Sequence, residues 1–412
     1  MTTKSNKQNL AALPFWRRAA KVLFRAFWRS IRVAATALAL AVSLLLVASA
    51  YSDMISPLVW IVAPFLGLFF PVFLLVALSC LAGLLAIKRW RSSLVIVASL
   101  LICSGRIWRY CPMHLSAPEP VTNVLVEDGV EGRTPVDTFR VLTFNTCATG
   151  KAKLWKKDEP IPVMELARES GADVVCFQEY QFSRKGGYEE PQLRATLQKE
   201  YPYYHIVYNS DQKKPVMGVA IFSKWPLVKQ EKIDKREKKY CWAGYYELNV
   251  RGRRVALVNC HLQSNSISDK NRKLYQEQVE HFQADSLRRM EEGLRQLGPS
   301  FRTRTEQVSI INRYLAERRK QWSEPLPMLI CGDMNDTPTS FTYRALRGDM
   351  ADTWQDAGFG PGITFRSAPF WFRIDHIFHS SHFRTLDVEV MRDQKMSDHY
   401  PVMATFQLLP RE

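Results

Sequence analysis

Acidic residues are almost missing from the first 110 positions of this 412-residue chain, where Asp53 is the single carboxylate against 13 Lys and Arg. That segment carries +12 of the formal +16 and leaves +4 for everything after Tyr110. The basic balance therefore belongs to one region. It does not argue for a chain-wide surface that tracks nucleic acid. Metal-type cysteine spacing is missing as well. Of the 8 cysteines, Cys80 and Cys103 sit in apolar segments, and Cys111, Cys147, Cys176, Cys241, Cys260 and Cys331 form no CxxC and mostly lie in strand-like runs. Buried thiols explain that pattern better than a zinc site or a disulfide framework.

Charge of either sign is absent from residues 33–51, a run of 19 and long enough to cross a hydrocarbon core of about 30 Å. Residues 1–32 before it hold 8 basic residues and no acid, mixed with Phe15, Trp16, Phe24, Phe27 and Trp28. Such a segment suits the cytoplasmic face of an anionic membrane. Ala48-Ser49-Ala50 has the form of a cleavage site, but the preceding basic region is long and more apolar sequence follows, so an uncleaved anchor is expected. A second run, 60–87, is interrupted by Pro64, Gly67 and Pro71 and ends at Lys88-Arg89-Trp90-Arg91; a third covers 92–108. Three crossings within 33–110, with the basic loops inside, predict a multi-pass protein of the cell (inner) membrane, held by membrane lipids around its N-terminal helices. The domain after Tyr110 is then extracytoplasmic. Residues 111–138, rich in Pro and Gly, read as a linker. No protein partner can be inferred.

Residues 139–408 alternate strand-like and helical patterns, as in a mixed α/β domain. Several apolar runs stop at residues that can handle water or phosphate. Run 139–144 stops at Asn145, 173–177 at Gln178-Glu179, 254–260 at His261, and 328–332 at Asp333-Met334-Asn335. Asp333 and Asn335, two apart in an extended segment, face one volume. The run 371–378 places Asp375 inside apolar sequence, where a carboxylate needs a partner, and His399 of Ser397-Asp398-His399 can supply one. Between them, 264–324 is an insertion of helical periodicity, one helix marked by Leu274, Val279, Phe282, Leu287 and Leu294 and another by Val308, Ile311, Tyr314 and Leu315. Its mixed charges suit a solvated face.

In this order, Phe144-Asn145, Gln178-Glu179, His261-Leu262, Gly332-Asp333-Met334-Asn335, Arg373-Ile374-Asp375-His376 and Ser397-Asp398-His399 resemble the motif set of the endonuclease/exonuclease/phosphatase (DNase I-like) family. The resemblance implies a four-layer α/β sandwich of two mixed sheets with the site at one edge, here preceded by about three transmembrane helices. It implies Glu179 as the main ligand of Mg²⁺ (or Mn²⁺), with Asn145 and Asp398 completing or supporting the metal shell. Asp333 and Asn335 would orient water and phosphate, His261 and His399 would bracket the phosphorus, and Asp375 would hold His399. His261-Leu262 fits the nuclease, sphingomyelinase and phosphatase branches better than abasic-site endonucleases. Trp371-Phe372-Arg373-Ile374-Asp375 departs from the Trp-x-Asp-Arg type motif of inositol phosphatases. The expected activity is hydrolysis of a phosphodiester, in nucleic acid or in a phospholipid or sphingolipid head group. The alternative is a non-catalytic binding or scaffolding module on the same fold.

Overall fold

The computed structural model describes residues 15–116, 124–127, 130–133, 138–151, 161–182, 189–208, 216–234, 242–265, 286–366, 371–394 and 396–410. The chain divides into two units. One takes the residues up to Tyr51 together with Leu68–Gly105, the other Ser52–Gly67 together with Arg106–Glu412.

The first unit is helical, with helices Phe15–Ala50, Phe70–Ala86 and Trp90–Ile102. Its contacts bury small and hydroxyl side chains beside Leu46, Phe70, Leu84 and Ile96. Ala39, Ser43, Ser49, Ala50, Ala77, Ser92 and Ser99 are buried, whereas Leu38, Leu44, Leu75, Leu94 and Leu101 are exposed. Small and hydroxyl side chains at helix contacts, with large aliphatic ones outward, are how helices associate in hydrocarbon. Thr36 Oγ1 lies 3.1 Å from Ser92 Oγ, and Ser43 Oγ donates to Val95 O at 3.4 Å.

The expected three transmembrane helices need correction. Among the described residues one helix, Leu23–Ala50, is long and apolar enough to cross a membrane. Phe70–Ala86 has 17 residues, and Trp90–Ile102 is followed by Ser104–Tyr110 at a bend of 61°. The middle run is short because Ser52–Gly67 belongs to the other unit, and because Pro71 sits in the first turn of its helix, where a missing amide hydrogen is tolerated.

The second unit is built on two six-stranded sheets. After a hairpin of β1 (Val124–Glu127) and β2 (Val130–Arg133), the first sheet contains β3 (Thr138–Asn145), β4 (Val174–Phe182), β5 (Tyr203–Tyr208) and β6 (Val216–Ser223). The second contains β7 (Leu227–Lys232), β8 (Trp242–Val250), β9 (Arg253–His261), β10 (Met328–Asp333), β11 (Ala351–Asp352) and β12 (Asp375–His379). Strands β13 (Phe383–Val390) and β14 (Val402–Leu408) return to the first. The orders are β13-β14-β3-β4-β6-β5 and β11-β12-β10-β9-β8-β7. Each is mixed, since β3 pairs parallel with β4 and β9 parallel with β10.

Alternation along the strands makes three apolar layers. Val141, Val174, Cys176, Leu257, Leu329 and Cys331 meet between the sheets. The opposite face of the second sheet, with Ala256, Val258 and Ile330, packs on Val308, Ile311 and Leu315 of helix Ser286–Arg319 and on Tyr343 and Leu346 of helix Phe341–Arg347. The outer face of the first, with Leu142, Val175 and Phe222, packs on Val163, Met164 and Ala167 of helix Pro162–Glu169 and on Leu193. Helices thus flank two face-to-face sheets. The described part of the insertion is one helix, Ser286–Arg319, which takes in Leu287 and Leu294 of the first expected helix with all of the second and has an apolar face on the core; Leu274, Val279 and Phe282 lie outside the described residues. The strand expected over 371–378 begins only at Asp375, because the amides of Ile374 and Asp375 both donate to Thr364 Oγ1 at 3.1 Å instead of to a neighbouring strand.

Gly332, at φ 135°, sits between β9 and β12, and a Cβ there would lie 1.9 Å from Cys260 O. Gly332→Ala is expected to lower stability by about 1–3 kcal/mol through strain and overlap. Thermal unfolding of the two proteins side by side checks this; an unchanged midpoint would contradict the close approach.

Candidate active site

The same alternation that fills the middle layer sends the last inward residue of several strands to one end of it. Past Thr143, β3 ends at Asn145; β9 passes Asn259 to His261; β10 passes Cys331 to Asp333. The two sheets are pinned just beneath. Gln178 Nε2 donates to Asn259 Oδ1 at 2.7 Å, and Asn259 Nδ2 donates to Phe177 O and Ala220 O at 3.1 and 2.9 Å. One residue further, the β4 ladder shifts register and Glu179 takes φ 52°, a bulge that re-aims its side chain. Glu179 keeps 26% of its side-chain surface exposed, so its carboxylate can meet a hydrated ligand.

Asp333 is at the centre and 1% exposed. It is in register with His261 on one side and Asp375 on the other. Its Oδ2 accepts from Asn145 Nδ2 at 2.8 Å and Asn335 Nδ2 at 3.1 Å, and its Oδ1 from the Asn335 amide at 2.8 Å. Asn335, at φ 50°, is anchored by a bond from its Nδ2 to Leu262 O at 3.1 Å. His261 Nε2 is 3.5 Å from Asp333 Oδ2 and 3.8 Å from Glu179 Oε1, and His399 Nε2 is 3.7 Å from Asp333 Oδ2. Burial raises the Asp333 carboxyl above the usual carboxylate range; His399 and His261 pull the other way, and Asp375 adds to the rise.

His399 Nδ1 lies 2.8 Å from Asp375 Oδ2, the pairing the sequence suggested. Burial alone would discharge this imidazole, but Asp375 and Asp333 overcome it and hold the value up at about 10. At neutral pH it is an imidazolium. Both ring nitrogens of His261 and Asp375 Oδ1 are buried without a hydrogen-bond partner, so the imidazole can bond to something that enters and the carboxylate oxygen can accept from it.

Among the described residues, the His, Asp and Glu groups near enough to share one cation are Asp333, Asp375 and His399, whose candidate ligand atoms lie within 4.8 Å. This differs from the expected set of Asn145, Glu179 and Asp398. Asn145 Oδ1 accepts from the Cys147 amide at 3.0 Å, which turns its Nδ2 towards Asp333 and Glu179 (3.3 Å). In this geometry Asn145 donates to the carboxylates. Asp398 flanks His399 and adds to the field that charges it, with Oδ1 3.5 Å from Ser397 Oγ. The oxygen-rich donor set and the solvent-facing Glu179 suit a hard divalent ion that retains water.

Four supporting residues take roles that the sequence did not assign them. Thr364 fixes the backbone at Asp375. Ser397 Oγ donates to Asn145 O at 2.8 Å and ties the two ends of the site together. Asn259 is the pin between the sheets. Arg304, from the insertion thought to be a solvated face, is fully buried and reaches Asp336 Oδ2 at 3.2 Å and Gln263 O at 2.8 Å.

Comparison with known proteins agrees with the fold. Residues 142–399 match the model of the Endonuclease/Exonuclease/phosphatase family, and residues 31–110 match that of a domain of unknown function. No curated protein matches. Similar solved structures include an endonuclease/exonuclease/phosphatase from Beutenbergia cavernae, 18% identical over 66% of this chain and 72% of the other, TM-score 0.46. Truncated Caenorhabditis elegans TDP2 is 17% identical over 66% and 98%, TM-score 0.44, and a mannosyl-6-phosphatase from Bacteroides thetaiotaomicron 16% over 65% and 99%, TM-score 0.43.

The charged state of His399 has a definite pH signature. Its folded value, about 10, lies above the ordinary 6.5, so its contribution to stability is fully present below pH 6.5 and is lost as pH rises through about 10. In Asp375→Asn, the part of the stability lost between pH 6.5 and 10 that belongs to this group is expected to shrink, and the imidazole NMR titration to move down. Identical titrations in the two proteins would remove the pairing.

Proposed function

Because the chain belongs to the endonuclease/exonuclease/phosphatase family, we propose that it is a membrane-anchored, divalent-metal-dependent hydrolase of phosphodiester bonds. The observation that carries this reading is convergence. Asn145, Glu179, His261, Asp333, Asn335, Asp375 and His399 come from six separate segments and are linked by polar contacts of 3.8 Å or less. A binding module would have no need of that complete set.

The chemistry assigns each residue a task. Glu179, with Asp398 in support, would hold Mg²⁺ or Mn²⁺, which when bound screens the phosphate charge and stabilises the leaving oxygen. Asn145 keeps the Glu179 and Asp333 carboxylates aimed into the site. Asp333, buried and raised, accepts a proton from the attacking water, while Asn335 orients that water and the phosphate. His399, held as an imidazolium by Asp375, donates to a phosphate oxygen, and the unpartnered nitrogens of His261 reach the phosphate from the other side. Positioning and charge neutralisation of this kind are most of what phosphoryl transfer requires.

The outward leucines of the helical unit and its buried serines support membrane anchoring. Asp53, just after the spanning helix, pairs with Arg109 at 2.9 Å, so Ser52–Gly67 travels with the catalytic unit. One crossing by Leu23–Ala50 then puts that unit on the side opposite the basic N-terminus, whichever path 70–102 takes. The positive-inside rule makes that side extracytoplasmic. The domain's near-neutral charge leaves nucleic acid and lipid head groups both open as the source of the phosphodiester.

Cation-dependent release of nitrophenol from bis-p-nitrophenyl phosphate is expected from the full chain. It should fall by about 10²-fold or more in Glu179→Gln and about 10²–10⁴-fold in His399→Ala, with melting retained in the first. Turnover in Glu179→Gln equal to wild type would end the metal role. Duplex DNA, RNA, sphingomyelin and inositol phosphates, assayed in parallel, separate nuclease from lipid hydrolase. A reporter that functions only in the cytoplasm, fused after Glu412, is expected to be silent; activity there would reverse the topology.

A further inference from the structure

The loop that follows the site motif, Asp336-Thr337-Pro338-Thr339-Ser340, is gripped by a segment far away in sequence. Asp53 is fully buried and pairs with Arg109 Nη1 at 2.9 Å, with Arg106 Nη2 at 3.7 Å. The same Arg109 Nη1 donates to Pro338 O at 3.4 Å, and its guanidinium lies 5.6 Å from the Tyr343 ring centre. Arg373 extends the cluster by donating to Arg109 O and to Asp352 Oδ2, which also accepts from Tyr343 OH at 2.8 Å. Thr339 is held on both sides: its Oγ1 donates to Gly67 O at 2.8 Å, and its carbonyl accepts from Ser52 Oγ at 3.5 Å. The approach is so close that a Cβ on Gly67 would stand 2.6 Å from Thr339 O.

A second arm reaches the same loop. Phe65 packs edge-on against Phe301 at 5.3 Å, and the Arg304 guanidinium sits 4.8 Å from the Phe301 ring while Nε donates to Asp336 Oδ2 at 3.2 Å. Every one of these contacts lies within the catalytic unit, to which Ser52–Gly67 belongs. They bear on a loop that starts one residue after Asn335, a left-handed, side-chain-bearing residue whose conformation must be imposed by its surroundings.

We propose that Asp53 is a positioning residue for the phosphoester site: through Arg109 and the Gly67–Thr339 contact, the segment 52–67 between the first two apolar helices sets the 336–340 loop and thereby the aim of Asp333 and Asn335. Asp53 touches neither substrate nor metal. The segment that follows the spanning helix is on this view part of the catalytic machinery, and turnover depends on its docking. The kinetic half of the inference rests on the hydrolase reading; the structural half does not.

The test uses the full chain in detergent or nanodiscs, with Asp53→Asn and Thr339→Val, the second a near-isosteric change that removes the bond to Gly67 and leaves the buried ion pair intact. Hydrogen exchange of the Thr337, Thr339 and Ser340 amides is expected to accelerate by about tenfold or more in both, as for loss of a local tether, while the sheet amides of β4 and β9 stay protected. The kcat for bis-p-nitrophenyl phosphate is expected to drop about tenfold or more with KM nearly unchanged, since misplacement costs chemistry before binding. Asp53→Glu should recover part of it. Wild-type exchange at 336–340 in Thr339→Val, or in a folded Asp53→Asn, overturns the proposal, as does altered exchange with unaltered kcat. A wild-type chain with no turnover, whose loop still loosens in both variants, would refute the hydrolase reading and leave the docking of 52–67 standing.

Discussion

A carboxylate buried to 1% exposure between two sheets is the constraint on which the site depends. Taking Asp333 out of water is costly unless hydrogen bonds and opposite charge replace the lost hydration. The structure meets that demand with two donor amides, a backbone N–H and two imidazoles. Three of these partners are immobilised in turn, Asn145 by the Cys147 amide, Asn335 by Leu262 O, and His399 by Asp375. Satisfying one buried charge thus fixes most of the side chains that would handle a phosphate.

Two like-charged carboxylates, Asp333 and Asp375, stand in register on adjacent strands, an arrangement that would be repulsive were it left alone. His399 resolves it, bonding Asp375 through Nδ1 and facing Asp333 through Nε2. The charge on His399 therefore balances two carboxylates within the fold. A cation entering near Glu179 joins a site whose inner charges are already balanced. The Asp333, Asp375 and His399 group is closed on itself, whereas Glu179 keeps a solvent-facing carboxylate.

The strand-end logic was legible in sequence because Asn145, His261 and Asp333 each interrupt an apolar run at its last inward position, and register then aligns His261, Asp333 and Asp375 without further instruction. The layered architecture was legible for the same reason, since two-residue alternation and helical spacing are local. What was not legible depends on contacts between distant segments. The bulge at Glu179 reflects a mismatch between β4 and β6, and Thr364 is one threonine among many. Arg304 is indistinguishable by sequence from its solvated neighbours in a charged helix, yet it is buried. The apolar run 60–87 likewise looks like one membrane segment. Only packing reveals that its first residues leave the helical unit, because hydrophobicity does not say whether lipid or protein will cover a side chain.

That ambiguity bears on how the anchor and the domain divide the chain. Asp53, the single acid of the basic N-terminal region, is the residue least compatible with hydrocarbon, and it is neutralised by Arg109 and Arg106 from the far end of the apolar sequence. The pairing closes a circuit: the chain leaves the catalytic unit after Gly67 and re-enters it at Arg106. Asp53 and its two arginines close this part of the catalytic unit on itself, and a buried pair is strongly penalised for losing either member. A further bond of the same guanidinium, from Arg109 to Pro338 O, lies on the loop that leads out of Asp333 and Asn335, so the demand for a neutral, ordered segment and the demand for an ordered site fall on the same few residues.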